Sequence, residues 1–166
     1  MSERVPAPGD LALIEALVNT LDIEVGADEL DTADGRTRFG LTEEEVPQAR
    51  ELRESLRATL LAHAGHPAHR ATTPLGELLS RAPLLVTVDA DDGSARLEPT
   101  DGEPLLSRVA AAIAGALVAG TWPRLKACEA PTCHWAYYDR SPAGRGRWCS
   151  MAVCGSRAKM RRYRAK

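Results

Sequence analysis

Four cysteines, the only ones in a chain of 166 residues, stand at positions 128, 133, 149 and 154. The pattern Cys-x4-Cys-x15-Cys-x4-Cys places two short-spaced thiol pairs on either side of an insert. Zinc takes four thiolates at tetrahedral corners, and each pair can supply two of them. Cys128, Cys133, Cys149 and Cys154 are therefore the candidate ligands of one structural Zn2+. A closed four-thiolate shell keeps no open coordination position, so the ion would hold structure and not catalyse. Two disulfides or free buried thiols are the competing arrangements. A redox pair is disfavoured because the spacing is not Cys-x-x-Cys. His134, directly after Cys133, is expected outside the ligand set.

The second pair carries geometric information. Positions i and i+5 of a regular helix lie about 140° apart around its axis, so Cys149 and Cys154 cannot both face one ion from within a continuous helix. Cys149 is expected just before a helix, with Ser150 as its N-cap and Cys154 in its first turns. From there MAVCGSRAKMRRYRAK continues with a dense set of cations. Arg157, Arg161 and Arg164 share one arc of a helical wheel, and Lys159, Arg162 and Lys166 the opposite one. Val153, Met160 and Tyr163 form a narrow apolar stripe suited to packing on a hairpin. That hairpin is expected between the cysteine pairs, with WAYYD and GRWC as strands and SPAGRG as the turn. With Arg145 and Arg147 in the GRGR turn, the candidate nucleic-acid contacts are Arg145, Arg147, Arg157, Lys159, Arg161, Arg162 and Arg164.

Charge is distributed to match. Residues 1–123 carry 21 acidic and 10 basic side chains, whereas residues 124–166 carry 11 basic and 2 acidic. An overall formal charge of −2 thus averages an acidic body and a basic tail. The polarity points to DNA as the partner, with RNA or an acidic protein surface as alternatives, the body itself included. The body is left to sense a ligand or to associate into a homodimer. The N-terminal MSERVPAPGD lacks the apolar core of a secretory signal, and the apolar run Val109–Val118 is too short to span a bilayer. A cytoplasmic location is expected, where clustered cysteines bind metal more often than they pair.

The elements that must position these residues read as α+β. The N-terminal part is mainly helical with one small β-hairpin, followed by a four-cysteine zinc module of hairpin and C-terminal helix. Asp10 is placed to cap a helix through LALIEALVNT. Residues 26–41 read as acidic and turn-rich, with a short helical piece. Thr42 and Glu45 form a capping box before a helix over about 45–63. Leu52, Leu56 and Leu60 stripe that helix, and Arg50, Arg53 and Arg57 are assigned to its wet side. GHPAHRATTP is a loop, Thr73 caps a short helix through GELLSRA, and LLVTVD with SARLEP makes the hairpin. Asp101 starts a buried, Ala-rich helix over about 104–120. Trp122–Arg124 marks the boundary between a body, 1–123, and the module, 124–166. A module of about 40 residues is too small to fold on apolar burial alone, so the metal is expected to serve as its core.

The stretch CEAPTCHWAYYDRSPAGRGRWCSMAVCGSRAKMRRYR resembles the CGNR zinc finger, a bacterial family in which the finger follows a domain called ABATE. Residues 10–120 are similar to that domain in length and layout. The resemblance implies zinc ligation by Cys128, Cys133, Cys149 and Cys154. It also places Asp139, Arg147, Trp148, Ser150 and Met151 on recurrent motif positions. Transcription regulation under stress is the function it implies. Ser156 stands where the family has Asn, giving Cys-Gly-Ser-Arg.

Other candidates are weaker. His63, His66 and His69 have a metal-like spacing, but Pro67 interrupts any helix that would align them, and the run reads as a polar loop. Glu43–Glu45 and Asp89–Asp92 read as a helix start and a hairpin turn. With no phosphate-binding Gly-rich loop, serine elbow or nucleophile–base set, the chain is not expected to be an enzyme.

Overall fold

The computed structural model of the protein describes residues 5–100 and 104–165. Helix α1, Leu11–Val18, buries Leu11, Ile14, Leu17 and Val18 on the face its periodicity requires. Asp10 precedes it but makes no side-chain cap. A miniature hairpin follows, in which β1, Leu21–Asp22, pairs antiparallel with β2, Ala27–Asp28. Two-residue strands leave no alternation to read, and this hairpin is absent from the sequence-based expectation. Helix α2, Ala33–Phe39, is capped by the Thr32 hydroxyl and ended by Gly40 at φ 69°.

Helix α3, Val46–His63, is the central element. The Thr42–Glu45 capping box forms on the short 3-10 turn that leads into it. Leu52, Leu56 and Leu60 are buried as expected, but the assignment of Arg53 and Arg57 to the wet side is overturned: they are 3% and 0% exposed. Arg50 stays partly in water and pairs with Asp28 and Asp31. The reason is pairing. Arg53 donates to Asp28, Thr20 and Glu54, and Arg57 donates to Glu54 and to two backbone carbonyls. A buried cation is tolerated where its donors are this fully used.

Helix α4, Leu75–Leu79, starts after Pro74 with no side-chain cap. Thr73 instead donates its hydroxyl to Glu51, while its carbonyl accepts from Ser55. Strands β3, Leu84–Val88, and β4, Ala95–Pro99, form the expected hairpin, with Val86 opposite Leu97. Helix α5, Leu105–Val118, buries Val109, Ala112, Ile113 and Ala116 but leaves Leu117 and Val118 in solvent, so it is not buried all round. The expected start at Asp101 lies outside the described residues.

A third antiparallel hairpin completes the fold: β5, Leu125–Ala127, pairs with β6, Ala136–Tyr138, placing Leu125 opposite Tyr138. Leu125, Ala127 and Ala136 join the same buried cluster as Ile14, Leu17, Leu56 and Leu60. Both strands of this hairpin are therefore packed into the body's core. No helix among the described residues is long and apolar enough to cross a membrane.

Candidate metal centre and nucleic-acid interface

The hairpin β5–β6 delivers the first cysteine pair. The backbone N–H of Cys128 donates to the Trp135 carbonyl at 2.9 Å, extending the ladder one residue past β5. The chain then turns back through Cys133 and His134, whose N–H groups both donate to the Ala130 carbonyl, at 2.9 and 3.2 Å. His134 adopts φ 48°, and its Nδ1 lies 2.9 Å from the Cys128 carbonyl oxygen. It therefore braces the turn. The hairpin spans the first pair and does not lie between the pairs as expected. Of the two strands read there, AYY is β6, but GRWC is not a strand. LKA, before the first cysteine, takes its place because Leu125 and Ala127 bury in the core.

The four Sγ atoms come together, all within 4.8 Å of one another. Cys133 and Cys149 are 3.6 Å apart at sulfur, and Cys149 and Cys154 are 3.8 Å apart. A tetrahedron with zinc–sulfur bonds of about 2.3 Å has edges of about 3.8 Å, so these separations fit one ion at the centre. They are far beyond a disulfide bond of about 2.0 Å, and all four cysteines are free. Hydrogen bonds from the Cys133 and Cys149 sulfurs, joined by the N–H groups of Cys149 and Ala130, hold the Cys128 thiol far below the usual range. The same sulfur contacts push Cys133 up. Four cysteine sulfurs grouped this closely could hold one metal ion.

The second pair is arranged as its spacing requires. Ser150 is the N-cap, its hydroxyl accepting from Val153 N–H at 3.3 Å. Met151–Gly155 then forms a π-type turn, closed by Gly155 N–H donating to the Ser150 carbonyl at 3.0 Å. This wide turn swings Cys154 back beside Cys149. A side chain on Gly155 would sit 3.0 Å from Met151 and 3.3 Å from Trp148. Helix α6, Ser156–Arg164, follows. Ser156 donates its hydroxyl to the Met151 carbonyl at 3.1 Å, so this residue serves the helix start.

A second group of residues fixes the loop between the pairs. Asp139 accepts from Lys126 Nζ at 2.9 Å, from Ser141 N–H at 3.0 Å and from Gly146 N–H at 2.7 Å. Burial alone would raise its carboxyl, but these donors overcome it and hold the pKa far below the carboxylate range. Arg124 donates to the Asp139, Ser141 and Pro142 carbonyls. Arg57 reaches out of α3 to the His134 carbonyl at 2.7 Å, and His63 lies 2.8 Å from the Leu125 carbonyl. The histidine run is thus no free loop: His69 bonds Glu54 at 2.9 Å, and His66 lies 3.3 Å from Glu129. Sequence reasoning missed Arg57 and Lys126, because nothing in one dimension tells a buried cation from a solvated one.

The cations proposed for nucleic acid separate into two sets. Arg147 is held bidentately by Glu129, and Arg157 pairs with Glu24 at 2.9 Å. Arg145, Lys159, Arg161, Arg162 and Arg164 are not buried and have no side-chain partner among the described residues. No residue of α6 is buried. The expected packing of Val153, Met160 and Tyr163 on the hairpin is overturned, since they are 47%, 51% and 78% exposed. Burial ends with Cys154 and Gly155, and among the described residues none of the helix beyond them is buried.

Two family models match the sequence. The CGNR zinc finger matches residues 124–166, and ABATE, described as "Putative stress-induced transcription regulator", matches residues 9–121. Among curated proteins no match was found.

Proposed function

Because the chain belongs to the ABATE family and ends in a CGNR zinc finger, we propose that it is a DNA-binding transcription regulator whose cysteine cluster holds Zn2+. Zinc ties Cys149 and Cys154 to Cys128 and Cys133, and so ties the start of α6 to a hairpin seated in the core. It supplies cohesion and takes no part in a reaction. Lys159, Arg161, Arg162 and Arg164 meet phosphates, and the acidic body senses an effector or brings two copies together. This is a binding function and not an enzymatic one.

The observation that carries this reading is α6 itself. Its nine residues include no buried one, and four of its cations lack partners among the described residues. A helix this short is marginal unless something stabilises it, and here the cluster at its start anchors it, with no buried face of its own among the described residues. A tail docked on the acidic body is the rival reading. Among the described residues, one ion pair favours it by joining a cation of α6 to a carboxylate of the body, Arg157 with Glu24.

The test is binding of labelled duplex DNA, against RNA of matched length, over a range of salt. Each phosphate neutralised contributes about −0.9 to the slope of log K on log salt. Replacing Lys159, Arg161, Arg162 and Arg164 together by Ala is expected to flatten the slope by about 3 to 4 units, with metal content unchanged. Undiminished binding by that variant, or a wild-type preference for RNA, overturns the proposal.

A further inference from the structure

We propose that Arg147 reads a guanine edge in the major groove, with Glu129 as the residue that aims it; this rests on the DNA-binding reading above. Arg147 Nε donates to Glu129 Oε2 and Nη2 donates to Glu129 Oε1, each at 2.5 Å. The guanidinium carbon also lies 5.4 Å from the centre of the Trp148 ring. The backbones are tied as well, Glu129 N–H donating to the Arg147 carbonyl at 3.0 Å. Glu129 follows Cys128 directly and Arg147 stands two residues before Cys149, so both arise from the backbone of the sulfur cluster. The Arg147 side chain is 58% exposed and Glu129 only 19%, which makes the arginine the outer member of the pair.

The geometry of the fork decides its use. Glu129 occupies the side-on edge, Nε with one Nη2 proton. The end-on edge, Nη1 with the other Nη2 proton, has no partner among the described residues. Two parallel donors on a fixed plane match the O6 and N7 acceptors of guanine. They also match a phosphate, and charge separates the two. Glu129 already neutralises Arg147, so the pair adds little to the pull on a phosphate and keeps only its directionality. Attraction comes from α6 across the same groove, of about 890 Å3, where Lys159, Arg162 and Tyr163 face Arg147 and Trp148. Phosphate contacts position and base contacts specify; here the two tasks fall to opposite walls.

The experiment is recovery of preferred sites from a randomised duplex pool by the full-length protein, repeated with Arg147→Lys and Glu129→Gln. Wild type is expected to enrich guanine at one fixed position. Arg147→Lys keeps the charge and loses the fork, so guanine preference there should fall about tenfold or more, while the salt slope and metal content stay the same. Glu129→Gln should weaken the preference too, yet raise affinity for unrelated duplexes by unmasking a cation. Unchanged guanine enrichment in Arg147→Lys overturns the inference, as does wild-type binding with no guanine preference. If instead the variant loses affinity for all sequences alike and flattens the salt slope, Arg147 is a phosphate contact and the inference fails. Absence of any duplex binding by wild type sinks the DNA-binding reading along with it.

Discussion

Arg57 shows what a single side chain can join. Its guanidinium is fully out of water and donates to Glu54 on its own helix, to the Val18 carbonyl at the end of α1, and to the His134 carbonyl beside the sulfur cluster. Burial lowers its pKa, and the Glu54 carboxylate opposes that shift. Arg57→Ala would leave two carbonyls without donors and Glu54 with one cation fewer. Breaking such a buried set costs about 3–5 kcal/mol, so a thermal melt of the variant should show a drop large enough to threaten folding. A methionine of similar reach is expected to restore part of the loss, because it refills the volume without charge. A melt of Arg57→Ala equal to wild type would show that the three connections carry no net stability.

Among the elements, the contrast between α3 and α6 is the sharpest. Helix α3 is held by ten buried residues, whereas α6 has none. Truncation after Lys159 should therefore leave the melting midpoint and metal content close to wild type while abolishing retention on DNA at moderate salt. A fall in midpoint comparable to that of a core substitution would mean that α6 packs on the body after all. This contrast also explains which elements were legible in the sequence. The cysteine spacing and the Ser150 cap could be read directly, because local geometry leaves few solutions. The helix expected over about 45–63, with the Thr42–Glu45 capping box before it, and the β3–β4 hairpin are legible from pattern. The β5–β6 hairpin was misplaced: AYY suits a strand, but its partner was fixed by the burial of Leu125 and Ala127, which only the folded body supplies. The apolar stripe of α6 misled for the same reason. Periodicity tells which residues share a face, not whether anything lies opposite.

At the scale of the whole molecule, acid should act in two stages. Burial lowers the pKa values of His63 and His69 below the imidazole range, although the Leu125 carbonyl and Glu54 oppose this. A depressed native pKa means stability that is complete above the unfolded value of about 6.5 and is lost as pH falls through the native one. Glu54 and Asp139 are depressed as well: burial would raise them, but Arg57 and Arg53, and in the second case Lys126, prevail. Their contribution is complete above about pH 4 and drains away below it. Melting midpoints measured downward from neutrality should decline gently at first and then steeply in the carboxylate range. In His63→Asn the early decline should shrink; an unaltered profile would assign it to other groups.

The seating of β5–β6 in the core has a consequence for how such a protein can be built. Cut away from residues 1–123, the finger would expose Leu125, Ala127 and Ala136 and lose the Arg57 donor that caps its turn. Transplanted to a foreign scaffold, it would arrive with a greasy underside and a bare carbonyl. A designer who wants the prong has therefore to carry its platform along.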